Sequence, residues 1–429
     1  MRRLLLLPVL IAQIAHVATP DDLPLDVLKA ARAVTVNREL VTKVPSFACL
    51  ETIRRTNWTG KLRKTGVQDT VQVEVGIGGG KEVFSWPGQN NFSDSSLGEI
   101  VGHGLVATGL FQSMVNTVFA GNAAAIKLID ENTLHGHAAL HFGYKILSLQ
   151  NRWEINWLGA RANVGEEGEF WVDATNFTLL RLVVNAIDIP PVLWLQRVRI
   201  TIDYRPESIG ITKTLLPESA EVLAVEWNGT SHRDEVSFSH CRVFGAESSL
   251  LISAADLAKQ TAQFQREREF LPPGLELSLI LETPIDSARA MVGDEIRARL
   301  EKPVDLPDGT VIPKGAAVEG YVRQFERMSD PRPYYQAGLE FDRIRWAGHS
   351  AEFFAEAISL DPIASRDLST HIDRKFPWGT YQAIESRTET VYPMHIPGVA
   401  NFLMEGDHVQ VPRGFHMVWK THQPRNRAK

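Results

Sequence analysis

The chain has 429 residues, too many for one ordinary hydrophobic core and enough for two domains. Apolar residues make up 44% and charged residues 22%, which argues against intrinsic disorder. A formal net charge of −6, from 51 acidic and 45 basic residues, argues against nucleic-acid binding, which needs a concentrated basic surface.

Arg2 and Arg3 followed by the short apolar run 4–14 have the form of an export signal, with Ala18 ending the cleaved segment 1–18. The run is shorter than the ~20 apolar residues of a spanning helix. No Cys follows it to carry a lipid anchor, and no later run is long enough to cross a bilayer. The mature chain is therefore expected to lack a transmembrane span and to be exported, either periplasmic or associated with an outer membrane.

Segment 22–43 reads as a helix capped by Asp21 or Asp22, with Val27, Leu28, Ala31 and Val34 at helical spacing. Segment 47–55 reads as a strand, and hairpins follow in which Val71, Val73 and Val75 alternate. Gly76-Ile77-Gly78-Gly79-Gly80-Lys81 has the composition of a phosphate loop but not its spacing, because Val75 and Glu82 stand where Gly and Ser or Thr are needed. It reads as a hairpin turn. Over 96–120, Leu97, Val101, Leu105, Phe111, Val115 and Val118 form a helical stripe weakened by Gly102, Gly104 and Gly109.

From 133 to 247 the pattern is β again. His135, His137 and His141 share strand parity, but one strand cannot close a metal site, so no metal is expected. In GEFWVDATNFTLLRLVV, 168–172 is a strand, 173–176 a turn and 179–184 the return strand. This hairpin after an N-terminal helix resembles the outer-membrane lipoprotein-sorting fold typified by LolA, over roughly 22–250. The resemblance implies a half-open antiparallel β-barrel packed around helices, with an apolar cavity between them.

Trp153, Trp157, Trp171 and Trp194 are the candidate ligand-binding residues of this first domain, for an acyl chain or other apolar ligand; ordinary core packing is the other reading. The run Pro190-Pro191-Val192-Leu193-Trp194-Leu195 also has the character of a rim loop that touches lipid, as a peripheral membrane contact, or a protein partner. The two cysteines, Cys49 and Cys241, near the start and end of this domain, are either a disulfide of an oxidising compartment or two buried thiols. Four glycosylation sequons, at Asn57, Asn91, Asn176 and Asn228, are discounted because short matches are common by chance.

Segment 251–270 is polar with no sheet pattern and reads as a linker. Beyond it, Leu275, Leu277, Leu279 and Leu281 share one strand face, and Ile296, Ala298 and Leu300 alternate with charged residues. Leu306-Pro307-Asp308-Gly309 and Ile312-Pro313-Lys314-Gly315 put Pro second and Gly fourth, as type I turns do. The "L-x-T-x-x-x-S" strand, the Gly-led strand and the "IPKG" turn, in this order, resemble the C-terminal barrel of TrbI-type scaffold proteins of type IV secretion and conjugation. A small β-barrel domain over 271–420 is expected, with an irregular insertion at about 361–400 and a basic tail at 421–429. Val411-Pro412-Arg413-Gly414 echoes the 312–315 turn: either two half-motifs of one barrel or two copies of a common turn.

The expected fold is thus mainly β, with α+β character in the first domain. No G-x-S-x-G, H-E-x-x-H, C-x-x-C or calcium-loop motif occurs, so no enzyme and no cofactor are expected. The reading is an exported envelope protein that binds an apolar ligand, such as a lipid or a lipoprotein acyl chain, or an envelope protein partner. The alternatives are a scaffold component of an envelope or secretion assembly, and a secreted hydrolase whose acid and base come from distant residues.

Overall fold

The computed structural model describes residues 24–42, 46–59, 64–78, 81–89, 92, 95–102, 104–209, 212–243, 269–329, 333–360, 370–372 and 398–423. The export signal, the 251–268 part of the linker, most of the 361–400 insertion and most of the basic tail lie outside the described residues.

The first unit contains the helices α1 (Leu25–Thr42), α2 (Leu97–Val101) and α3 (Ser113–Phe119). Its strands are β1 (Phe47–Thr59), β2 (Lys64–Gly78), β3 (Lys81–Ser85), β4 (Ala125–Leu134), β5 (His137–Ile146), β6 (Glu154–Trp157), β7 (Ala160–Asn163), β8 (Gly165–Asp173), β9 (Leu179–Ile187), β10 (Leu195–Ile209), β11 (Thr212–Glu226) and β12 (Ser231–Val243). All but the β6–β7 hairpin join one antiparallel sheet in the order β3–β2–β1–β12–β11–β10–β9–β8–β5–β4. No ladder joins β3 to β4 among the described residues, so the sheet is not closed into a barrel.

Alternation makes one face apolar. Val198, Ile200, Ile202 and Tyr204 of β10 are buried while Arg197 and Arg199 face out, and Leu140, Phe142, Tyr144 and Ile146 do the same for β5. The helices lie against this face in one continuous core. The expected helical stripe over 96–120 is not one helix. Ser96 and Glu99 form a capping box that starts α2, and Gly102, in the left-handed region at φ 83°, ends it. The chain then turns through Gly104 and Gly109 before α3 begins. The apolar spacing reported burial correctly, and the glycines broke the helix.

The second unit comprises β13 (Glu269–Phe270), β14 (Glu276–Leu281), β15 (Ile285–Asp286), β16 (Glu295–Leu300), β17 (Val304–Asp305), β18 (Val311–Ile312), β19 (Ala317–Met328), β20 (Tyr334–Trp346), β21 (His349–Glu352), β22 (Phe354–Leu360), β23 (Thr370–Ile372), β24 (Ala400–Glu405), β25 (Gln410–Val411) and β26 (His416–His422). Its main sheet runs β22–β26–β14–β16–β19–β20, and β21 and β24 pair with different parts of β20. Among the described residues no ladder closes it into a barrel.

The two P-x-G turns have equivalent settings. Gly315 N donates to Leu300 O and Leu300 N to Ala316 O; Gly414 N donates to Leu281 O and Leu281 N to Phe415 O. Each turn thus clamps the end of a long strand, and each follows a short strand paired to a second short strand, β18 to β17 and β25 to β15. That is an internal repeat of hydrogen bonding, beyond a shared turn. The turn itself is shifted by one residue from the type I expectation. Its bond runs from Ala316 N to Pro313 O (3.2 Å), with Gly315 third at φ 87°, the type II arrangement. The 306–309 turn closes as expected, Gly309 N to Leu306 O at 3.0 Å.

The units are not separate bodies on a string. β19 pairs with β2 at Arg327↔Gln68 and Met328↔Val67. Val292 exchanges backbone hydrogen bonds with Thr70 and Gln72, both 2.8 Å. Trp86 stacks on Tyr321 (6.1 Å between centroids), and Gln89 donates to the Tyr321 hydroxyl at 2.7 Å. Arg323 lies over Trp86, pairs with Glu340 and donates to Ile100 O at 2.9 Å.

One buried amide fastens α1 to the sheet. Asn37 Nδ2 donates to Ala33 O (2.8 Å) and Phe177 O (2.9 Å), and its Oδ1 accepts from Leu179 N (2.8 Å). Asn37→Ala leaves the Phe177 and Leu179 backbone groups unpaired in the interior, and the expected loss is ~1–3 kcal/mol, read as a lower midpoint in urea unfolding. An unchanged midpoint would show that α1 does not depend on this bond.

Candidate functional site

The candidate site is the space between the concave face of the ten-strand sheet and α1, α2 and α3. Aromatic rings dominate its contacts. Phe111, just before α3, meets Phe238 of β12 edge-on (4.7 Å) and Phe47 of β1 (5.5 Å). Phe119, at the end of α3, meets Phe170 of β8 edge-on (5.1 Å), and Phe170 stacks on Phe142 of β5 (5.0 Å). Val71, Val73, Val75, Ile200 and Ile202 complete the sheet side.

A polar strip crosses this apolar face on β1. The residues of β1 that point to the helices are Phe47, Cys49, Glu51, Ile53 and Arg55, all buried. Arg55 has Asp69 of β2 directly across on one side and Asp234 of β12 on the other. Its Nε donates to Asp69 Oδ1 at 2.7 Å, and Nη2 bonds the second oxygen. Burial disfavours the Arg55 charge, but Asp69 outweighs it and holds the guanidinium charged. Burial pushes the Asp234 carboxyl well above the ordinary range; Arg55 draws it back and Asp69 adds to the rise. Glu51 is also pushed well up, by burial first and then by Glu82 and Asp234. The strip is thus one cation among three buried acids, two of them pushed upward by burial. Gly104, at φ 77°, lies so close to the guanidinium that a Cβ there would strike it. The 104 segment therefore acts as the cover of Arg55.

Glu82 of β3 accepts from Gly109 N (2.6 Å) and Phe111 N (3.1 Å), and Tyr204 donates to Leu110 O (2.9 Å). Gln112 donates to Val41 O (3.2 Å) and Arg38 to Phe119 O (2.8 Å). These bonds hold the helical layer to the sheet and to itself. Chemically, the arrangement can bury apolar matter beside a strip of buried charge.

The tryptophans singled out from the sequence do not share one site. Trp171 lies on the other face of β8 from the buried Phe170 and Val172, and stacks on His141 (4.2 Å). Strand parity decides this, since Trp171 alternates with the inward pair. Trp153 and Trp157 are half-buried around a second apolar cluster of Ile155, Val164, Leu193, Leu195, Val198 and Ala224, capped by the β6–β7 hairpin. Trp194 is exposed at the end of a single 3-10 turn, Pro191–Leu193, that belongs to the same cluster. The histidines are also dispersed: His135 sits in the β4–β5 turn 2.9 Å from Arg181, while His141 Nδ1 lies 3.2 Å from Asp130. Their supposed shared parity fails because His135 adopts φ 50° outside the strand.

Cys49 and Cys241 are bonded to each other, with Cα atoms 4.0 Å apart, joining β1 to β12 where the ladder shifts register. The residues that sequence reasoning missed are Phe111, Phe119, Phe142, Phe170 and Phe238, and the Asp69–Arg55–Asp234 ladder. For the ladder a signal existed: Glu51 and Arg55 share parity with Cys49 and Ile53, so charges stood on an apolar strand face.

No family model and no curated protein matches the chain. Among solved structures it is similar to a LolA superfamily protein from Nitrosomonas europaea (10% identity, TM-score 0.28, covering 53% of this chain and 98% of that one). It is similar too to a DUF1329 family protein from Desulfovibrio piger (12%, TM-score 0.28, covering 54% and 98%). A third is an outer membrane lipoprotein-sorting protein domain from Vibrio parahaemolyticus (9%, TM-score 0.26, covering 55% and 97%). At these identities and TM-scores, family and ligand stay open. None of the three is a TrbI-type scaffold protein, so that resemblance rests on sequence alone.

At one end of the sheet Glu166 is buried beside the second cluster, where Asn151 donates to it at 3.2 Å. Burial raises its carboxyl to about 7, against hydrogen bonds from Asn151 and Tyr144 that lower it. A carboxyl raised in the folded state binds more protons than the unfolded chain between the two values. Its contribution is therefore full below 4.5 and lost as pH rises to about 7. Glu166→Gln is expected to remove that loss, leaving the variant ~3–4 kcal/mol more stable than the parent at pH 8 and equal to it near pH 4, at ~1.4 kcal/mol per unit. Urea midpoints at the two pH values test this, and parallel curves for parent and variant would contradict it. The smaller slope from Asp342, raised to about 6 chiefly by burial, stays in both proteins.

Proposed function

We propose that this protein is a non-enzymatic envelope protein that takes an apolar ligand, a lipid or a lipoprotein acyl chain, between the concave sheet face and its helical layer. The observation that carries this reading is the make-up of that layer. The aromatic concave face is covered by three separate helical pieces, two of them no longer than seven residues. Left-handed glycines at 102, 104 and 109 link the short pieces. The first half of α1 leaves Leu25, Val27 and Leu28 exposed. A cover in short pieces can shift one piece at a time to admit an apolar chain, breaking only the bonds of the piece that moves, whereas one long packed helix cannot. Burial of the ligand stabilises the complex by ~25 cal/mol per Å² of apolar surface, before the cost of ordering it. The export-like N-terminus and the Cys49–Cys241 bond both support an oxidising compartment outside the cytoplasm. No helix among the described residues is long and apolar enough to cross a membrane.

Native mass spectrometry of protein purified from its own envelope is expected to show one adduct of lipid mass per chain, removed by organic extraction and restored by a fatty acid. A chain that is bare before extraction and takes up no fatty acid after it would refute the proposal. A bare multimer would favour the scaffold reading instead.

A further inference from the structure

The turns at the two ends of the first sheet differ in character. At the end where β5, β9 and β11 finish, every described turn between consecutive strands from β5 to β7 and from β9 to β12 exposes a large apolar side chain. Leu147 and Leu149 follow β5, and Leu149 is 99% exposed. Leu158 tips the β6–β7 hairpin at 82%, Val192 and Trp194 (68%) precede β10, and Trp227 (61%) follows β11. At the opposite end the β4–β5 turn is His135-Gly136 and the β8–β9 turn holds Thr175 and Asn176.

The β6–β7, β9–β10 and β11–β12 tips are neighbours. Trp227 N donates to Trp194 O (3.1 Å), and Leu193 packs in the second cluster with Ile155 and Val164, against Trp157, Ala160 and Ala162 of the hairpin that carries Leu158. The backbone makes the display deliberate. Leu158 and Trp194 hold φ values of 50° and 53°, a region where Gly or Asn is the stable choice and a bulky side chain adds strain. Folding alone favours neither residue at these places, since neither gains burial there.

We propose that this end of the sheet docks on an anionic phospholipid surface. The side chains are knobs on convex tips, which suit a deformable apolar medium better than a fixed groove. Two of them are tryptophans, whose amphipathic rings settle at the membrane–water interface. Arg161 and Arg197 are exposed in the same segments and have no ion-pair partner among the described residues, so they are available to lipid phosphates. The nearby acids count less: Glu226 is bonded by His232 Nε2 (2.8 Å) and Glu154 lies at the far end of the hairpin from its tip, although Asp188 is exposed. This surface lies outside the space between sheet and helices, so its failure and that of the carrier reading are separable.

The test is flotation of the full purified chain with vesicles of phosphatidylcholine alone and of phosphatidylcholine mixed with phosphatidylglycerol. The parent is expected to float with the mixed vesicles, with a blue shift of tryptophan emission. Trp194→Ser combined with Trp227→Ser is expected to weaken binding by about tenfold or more, with an unchanged melting curve since both side chains are solvent-exposed. Arg161→Glu combined with Arg197→Glu is expected to abolish the preference for anionic vesicles. A parent that floats with neither vesicle overturns the proposal, as does flotation that both double variants leave intact. A change of oligomeric state in the tryptophan variant without any change in flotation overturns it in favour of self-association.

Discussion

Arg55 is a buried cation with an aspartate directly across from it on each neighbouring strand, and the arrangement of the first unit depends on keeping it so. A guanidinium in an apolar interior is tolerated only while its hydrogen bonds are satisfied; removing one partner of such a pair commonly costs ~3–5 kcal/mol. A slip of β1 by one residue would turn Arg55 outward and bring Arg54 and Thr56 to the apolar face. The ion ladder therefore fixes the register of β2, β1 and β12 more strictly than valine and phenylalanine packing could. The Cys49–Cys241 bond pins the same strands at their other end, beside the irregularity that ends the regular ladder.

The same ladder connects the two units. Glu326 of β19 contributes to the field that keeps Arg55 charged, and Gln324 and Gln336 continue the buried polar line, at 3.0 Å and 3.4 Å, into the second sheet. Together with the β2–β19 pairing and the Arg323–Trp86 contact, this makes the junction a polar, hydrogen-bonded seam. The second unit thereby supports the side of the first sheet that carries Arg55.

Much of the fold was legible because period-2 patterning is local. Leu277, Leu279 and Leu281 are inward as read, the 173–176 turn lies between β8 and β9, and α1 begins and ends within a few residues of the expected helix. The equivalence of the two P-x-G turns was visible as an echo, and hydrogen bonding shows it to be a repeat. The site was less legible, because it depends on strand order. Phe111, Phe119, Phe142, Phe170 and Phe238 come from one loop, one helix and three strands, and only the sheet brings them together. Trp171 was drawn to the site by size, when its parity with Phe170 and Val172 already placed it on the opposite face. The charges at Glu51 and Arg55 broke the apolar pattern of β1, which is the mark of a buried network rather than of a solvated strand.

Hydrogen–deuterium exchange of the delipidated chain, with and without a long-chain fatty acid, tests the central claim most directly. Protection concentrated in α1, α2, α3 and the 102–111 segment, with the second unit unchanged, is the predicted result. An exchange pattern that the fatty acid does not alter, or protection confined to the second unit, would contradict a ligand held between the helices and the concave sheet.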